Sequence, residues 1–222
     1  MKLSPEFFGE TKKTKLQHAS SGDNIDTSEL NQEKVDLFWR MERTDETMYV
    51  TGKAGAGKSY LLEFFVKHSR KNVAVVAPTG VAALNVGGQT IHSFFGLDIN
   101  VQNLDEIRRK GVYGKRKVIL EELDTLVIDE ASMVRVDLID AIDLKLQLAN
   151  GNDLPFGGKQ VILFGDLYQL PPVVEAQVDR YLEDNYGSIF FFAAPVFRRT
   201  QINFYELKTV FRQSDAAFVG IL

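Results

Sequence analysis

The sequence predicts an α/β fold with a mainly parallel sheet covered by helices on both faces, and three observations carry that expectation. A glycine-rich run, "YVTGKAGAGKS" (Tyr49 to Ser59), follows directly on a short stretch of strand formers. Behind it a helical segment leads into a second, fully apolar strand, and strand–helix–strand is the crossover that parallel sheets require. Farther on, an apolar strand ends in a pair of acids, Asp129 and Glu130.

Residues 1–29 are polar, are broken by "SSGDN" and carry few large apolar residues at helical spacing, so they read as a loose arm. Residues 30–222 read as one domain. From Leu30, "LNQEKVDLFWRMER" sets Val35, Leu37, Phe38, Trp39 and Met41 close to a helical stripe, with Trp39 more suited to the core than to base stacking. "YLLEFFVKHS" after the glycine-rich run is a buried helix, and "NVAVVA" (Asn72 to Ala77) the strand that follows. "TLVID" (Thr125 to Asp129) is a third strand and "QVILFGD" (Gln160 to Asp166) a fourth. Between them "VRVDLIDAIDLKLQLA" places Val134, Leu138, Ile139, Ile142 and Leu146 on one helix face. Asp137, Asp140 and Asp143 fall elsewhere and read as a solvated face rather than a metal cluster. "GNDLPFGGK" is a turn-rich connection, and "INFYELK" (Ile202 to Lys208) a further strand.

At 222 residues and 45% hydrophobic the chain has material for one full core. It contains no cysteine, which rules out disulfides and thiolate metal sites and suits a reducing compartment. No run has the apolar length of a membrane span, and "MKLSPEFFGETKKTK" lacks the apolar core of a secretory signal, so a soluble protein without a membrane partner, cytoplasmic or nucleoid-associated, is expected. Lys plus Arg number 26 against 30 Asp plus Glu, so any contact with a polyanion is local. In "RRKGVYGKRK" (Arg108 to Lys117) six of ten residues are basic, which fits equally a phosphate contact and a solvated helix end.

The chemistry begins at the glycine-rich run, which fits G-x-x-x-x-G-K-[ST] with Gly52, Gly57, Lys58 and Ser59 in the fixed places. Such a loop turns its backbone N–H groups inward on a triphosphate; its lysine reaches the β and γ phosphates and its hydroxyl ligates Mg²⁺. The nucleotide-contact candidates are therefore Gly52, Ala54, Gly55, Ala56, Gly57, Lys58, Ser59 and Tyr60, with ATP and Mg²⁺ as cofactors. The metal needs an acid at the end of a neighbouring strand, and "LVIDEAS" supplies Asp129, with Glu130 beside it to orient or deprotonate a water. In "FGDLYQLPPV" the amide of Gln169 can both donate and accept at a γ-phosphate or its attacking water, on a turn stiffened by Pro171 and Pro172.

"GKAGAGKS", "APTGVAALNVGGQTIHSFFG", "VIDEASMV", "FGDLYQLPPV" and "LKTVFRQ" occur in that order, and together they resemble the Pif family of superfamily 1 DNA helicases, the RecD-like branch, over roughly Leu30 to Leu222. The resemblance implies a first RecA-like ATPase domain of an enzyme that moves 5′ to 3′ along single-stranded DNA. It further implies that Gln169 couples γ-phosphate to DNA and that Arg212, in "VFRQ", contacts the γ-phosphate. Pro78 to Phe95 would face the DNA strand, with Thr79, Asn85, Thr90, His92 and Ser93 donating to phosphates and Phe94 stacking on a base. Phe94 and Phe95 fit a core equally well, and His92 a structural role. In the family a glutamine near the start of the first helix reads adenine; here Gln32 is the candidate, and Lys34 stands at the expected place. A second RecA-like domain is expected to be missing from this chain, which by itself should bind nucleotide and hydrolyse it poorly. A nucleotide-dependent binding module without catalysis is the alternative, and a P-loop kinase a weaker one for want of an acceptor pocket.

Overall fold

The computed structural model describes residues 25–209. Arg212 and most of the expected arm lie outside the described residues. The elements are α1 (Gln32–Arg43), β1 (Thr47–Gly52), α2 (Lys58–His68), β2 (Val73–Ala77), α3 (Gly80–Asn85), β3 (Gln89–Thr90), α4 (Ile91–Phe95), α5 (Leu104–Lys110), α6 (Gly114–Glu122), β4 (Thr125–Ile128), α7 (Val136–Asn150), β5 (Gln160–Phe164), α8 (Ala176–Tyr186) and β6 (Ile202–Leu207). The strands form one sheet in the order β3-β2-β4-β5-β1-β6, and every pairing is parallel. Among the described residues no helix is long and apolar enough to cross a membrane.

The central strands read as unbroken apolar runs because both of their faces are covered. In β5, Val161 and Leu163 point to one core and Ile162 and Phe164 to the other. In β4, Leu126 and Ile128 join the first core and Val127 the second, the two-residue alternation of a pleated strand. The second core is closed by Phe38 and Met41 of α1 and Leu61, Leu62 and Phe65 of α2. The first is closed mainly by α7, through Ile139, Ile142 and Leu146, with Leu120 of α6 and Leu182 of α8. Helices thus cover both faces, as the sequence predicts.

Two features differ from the expectations. The sheet has a sixth strand, β3, whose two residues are too short to leave a periodic signal. The aspartates of α7 do not form a solvated face: Asp137 and Asp143 are buried and Asp140 is half-buried. Asp137 accepts from the Gln102 N–H (2.9 Å) and from Arg135 through Nη2 (2.8 Å) and Nε (2.9 Å). Asp143 accepts from the Phe156 N–H at 2.6 Å and from Arg199 Nη2 at 2.7 Å. Asp140 accepts from the Tyr186 hydroxyl at 3.1 Å. The physical reason is that α7 is walled in by α5, α8 and the turn at Pro155–Gly158 as well as by the sheet. Its polar stripe therefore meets protein instead of water and is satisfied there.

Candidate functional site

An all-parallel sheet puts the carboxyl ends of its strands along one edge, and each residue with expected chemistry on β1, β4 and β5 follows such an end. β1 runs into the phosphate loop at Gly52, and α2 opens at Lys58. Gly57 is left-handed at φ 82° and lacks a side-chain cap, so the first-turn amides of α2 remain available to an anion. Lys58 Nζ donates to the Gly52 carbonyl at 2.5 Å, folding back over the loop. Ser59 is exposed at the helix start. The α1 residue that meets the loop is Lys34, 1% exposed, whose Cε lies 2.9 Å from where a Cβ on Gly57 would be. Gly57 is thus required by its φ and by that neighbour. Burial pushes the Lys34 ammonium below its usual range.

Gln32 and Tyr60 take other partners. Gln32 is exposed, and its amide donates to Asp36 at 2.7 Å; Tyr60, also exposed, donates to Glu29 at 3.2 Å. Neither contact involves the phosphate loop.

β4 delivers the acids. The Asp129 N–H donates to Val76 O, which extends the β2–β4 ladder by one residue and fixes the carboxylate at the strand exit. Burial, with a smaller push from the Glu130 charge, raises the Asp129 carboxyl to about 6 against the opposing pull of a hydrogen bond from the Glu130 backbone and of the Lys58 ammonium. Glu130 adopts φ 50°, ψ 43°, a left-handed conformation uncommon outside glycine and frequent at functional sites. The sequence places the acids on the strand next to the phosphate loop, and the structure corrects this: β5 lies between β1 and β4, pairing Val50 with Phe164 and Ile128 with Leu163. Two inter-strand spacings, roughly 10 Å, separate the two backbones.

The intervening strand carries Gln169 at its exit. Asp166 Oδ1 accepts from the Tyr168 N–H at 3.0 Å, its Oδ2 accepts from Gln169 Nε2 at 3.2 Å, and the Gln169 N–H returns to Asp166 O at 2.9 Å. Asp166 is therefore the residue that positions Gln169. Sequence reasoning missed it, although Asp-x-x-Gln in a turn is a local signal. Also missed was Tyr49, buried on β1. Its hydroxyl lies 3.3 Å from where a Cβ on Gly165 would be, and burial pushes it up to about 12, with Thr51 opposing the shift and Asp166 and Glu130 adding to it. Among the described residues no three His, Cys, Asp or Glu side chains converge on a cation. Ser59 and Asp129 form an all-oxygen donor pair, which fits Mg²⁺ held with waters and substrate phosphates rather than by a protein cage.

The segment from Pro78 to Phe95 lies at β2, β3 and the sheet edge beyond them. Thr79 caps α3 by accepting from the Ala82 N–H, and Thr90 caps α4 by accepting from the Ser93 N–H, both at 3.2 Å. Each hydroxyl keeps its own proton to donate. Asn85 and Ser93 are exposed. His92 is half-buried with Nε2 unpartnered among the described residues; burial, reinforced by Arg135 and opposed by Asp137, lowers its pKa. Phe94 corrects an expectation: it is 6% exposed and packs in the core, edge to Phe95 at 5.0 Å, so it offers no face to a base.

A family model described as "PIF1-like helicase" matches residues 29–216. The ATP-dependent DNA helicase PIF1 of Saccharomyces cerevisiae is 36% identical over 201 residues, covering 87% of this chain and 22% of that protein. A crystal structure of Pif1 from Bacteroides sp in complex with ADP-AlF4 superposes with a TM-score of 0.77 at 41% identity, over 85% of this chain and 44% of that one. Bacteroides Pif1 bound to ssDNA matches with a TM-score of 0.74 at 40% identity, over 86% and 44%. This chain thus spans about a fifth of the yeast protein and under half of the solved chains.

Proposed function

The chain belongs to the PIF1-like helicase family, and from that premise we propose that it is the ATP-binding unit of an ATP-dependent helicase that moves 5′ to 3′ on single-stranded DNA. One observation carries the reading: the phosphate loop, the Asp129–Glu130 pair and the Asp166-braced Gln169 issue from three strands at one sheet edge. A Mg²⁺ ion, when bound with the nucleotide, would neutralise the phosphate oxygens and sharpen the electrophile.

The residues divide the work as follows. Loop amides from Ala54 to Ser59 bind the phosphates, and Lys58 leaves its Gly52 contact to bind the β and γ oxygens. Ser59 and Asp129 would hold the metal, Glu130 would take a proton from the attacking water, and Gln169 would read whether the γ-phosphate is present. Arg212, outside the described residues, would contact the γ-phosphate. Thr79, Asn85, Thr90 and Ser93 supply neutral donors to DNA phosphates, which an overall acidic chain tolerates. An arginine brought across the nucleotide is worth about 10³–10⁵ in such reactions, and the solved relatives are more than twice as long as the matched region. Fast turnover is therefore assigned to this unit closing against a second RecA-like one.

The test is binding of Mg-ADP and Mg-ATP to the chain and to Lys58→Ala, alongside phosphate release by wild type and Glu130→Gln. Loss of nucleotide affinity in Lys58→Ala is expected. Unchanged affinity refutes the assignment, and phosphate release equal in wild type and Glu130→Gln would favour a binding module without catalysis.

A further inference from the structure

Away from the phosphate loop, α4 and α6 enclose a cavity of about 300 Å³ lined by Gln89, Ser93, Phe94, Tyr113, Lys115 and Arg116. That volume is at the lower end for small-ligand pockets, about 300–1,000 Å³. Its walls combine one exposed aromatic ring, two cations, neutral donors and an apolar floor, with no carboxylate among them.

Two of the lining side chains lie close against backbone. Tyr113 is 75% exposed, yet its ring lies against Gly111, where a Cβ would come within 2.7 Å of Cε2 and of the hydroxyl. The Arg116 guanidinium lies on Gly96, where a Cβ would fall 2.5 Å from Nη1. Its Nε donates to Phe94 O at 3.1 Å and its Nη2 to Ser93 O at 3.4 Å, which ties the cation to the α4 backbone. The surrounding charge is selective. Arg108 pairs with Asp105, Lys110 with Glu106 and Lys117 with Glu121. Arg109, Lys115 and Arg116 have no ion-pair partner among the described residues, and two of these line the cavity. α6 starts there without a side-chain cap, so its first-turn amides add partial positive charge.

An anionic group with a planar ring attached satisfies all of these walls. We infer that the cavity binds one nucleotide of a single-stranded nucleic acid, its base against the Tyr113 ring and its phosphate at Lys115 and Arg116. The inference rests on the proposed DNA-facing role of the Thr79–Ser93 segment, which Ser93 joins to the cavity. It gives the Arg108–Lys117 run a task that the nucleotide site does not use.

The test is binding of a fluorescent oligothymidylate to the 222-residue chain at low salt, with Mg-ADP affinity measured in parallel. Tyr113→Ala is expected to weaken oligonucleotide binding about 5- to 150-fold, the range for loss of one stacked base, and Tyr113→Phe to bind as wild type. Lys115→Gln should flatten the salt dependence by about 0.7 in log–log slope, one phosphate on a single strand. An abasic oligonucleotide should bind wild type as weakly as Tyr113→Ala binds the normal one. Mg-ADP affinity stays constant throughout. Equal binding by wild type and Tyr113→Ala overturns the inference while leaving the helicase reading intact, and so does thymidine monophosphate competing as tightly as the oligomer, which would mark a free-nucleotide site. No oligonucleotide binding by a wild type that binds Mg-ADP overturns the DNA-facing reading and the inference with it.

Discussion

Asp129 sits where two demands conflict, since the proposed metal ligand should be charged and its burial favours the neutral acid. Its folded pKa of about 6 lies above the ordinary 3.8. A carboxyl raised in this way stabilises the fold only while protonated; the contribution is full below about pH 4 and is lost as pH rises through 6. Asp129→Asn is therefore expected to raise the melting temperature of the nucleotide-free chain at pH 8, with the gain shrinking to nothing near pH 4. Calorimetry at the two pH values checks this, and no gain at pH 8 would contradict it. Glu130 presents a different constraint, because its backbone is held in the left-handed region at φ 50° and ψ 43°. Glu130→Gln keeps the shape and removes the base, so nucleotide affinity should hold while hydrolysis falls about 10²–10⁴-fold. A parallel loss of affinity would move Glu130 from base to binding residue.

Among the elements, α7 departs furthest from its surface reading. Its Asp137 is buried against Arg135, which is itself only 14% exposed, and it also satisfies the Gln102 N–H. Removing one partner leaves a buried charge and an orphaned amide, so Asp137→Ala should cost about 3–5 kcal/mol in urea denaturation. The exposed Asp105–Arg108 pair on α5 provides the contrast: Asp105→Ala should change stability by no more than about 1 kcal/mol. Equal effects at the two sites would mean that α7 is not enclosed in solution. The short helices α3 and α4 depend instead on their threonine caps, worth about 1 kcal/mol each. The same hydroxyls are the ones proposed to donate to DNA phosphates.

For the whole molecule, the sheet order decides what meets what. β5 lies between the phosphate-loop strand and the acidic strand, so the Asp166–Gln169 turn projects between the two groups that would flank a nucleotide. A ligand held from three strands stabilises the entire sheet. Mg-ADP at a hundred times its dissociation constant should add about 2.7 kcal/mol to global stability, and the Lys58→Ala chain should gain nothing. A wild-type melting curve unmoved by Mg-ADP would contradict a ligand spanning those strands.

The fold class and the phosphate loop were legible in the sequence because their signals are local. Gly52, Gly57, Lys58 and Ser59 act within one turn of backbone, and the strands announce themselves as apolar runs bounded by turn residues. The burial of Asp137, the core position of Phe94, the intervening place of β5 and the assembly of Tyr113 with Arg116 were decided only by tertiary structure. Each depends on which element packs against which, and a side chain's surroundings at long sequence separation leave no mark in the spacing of its own neighbours.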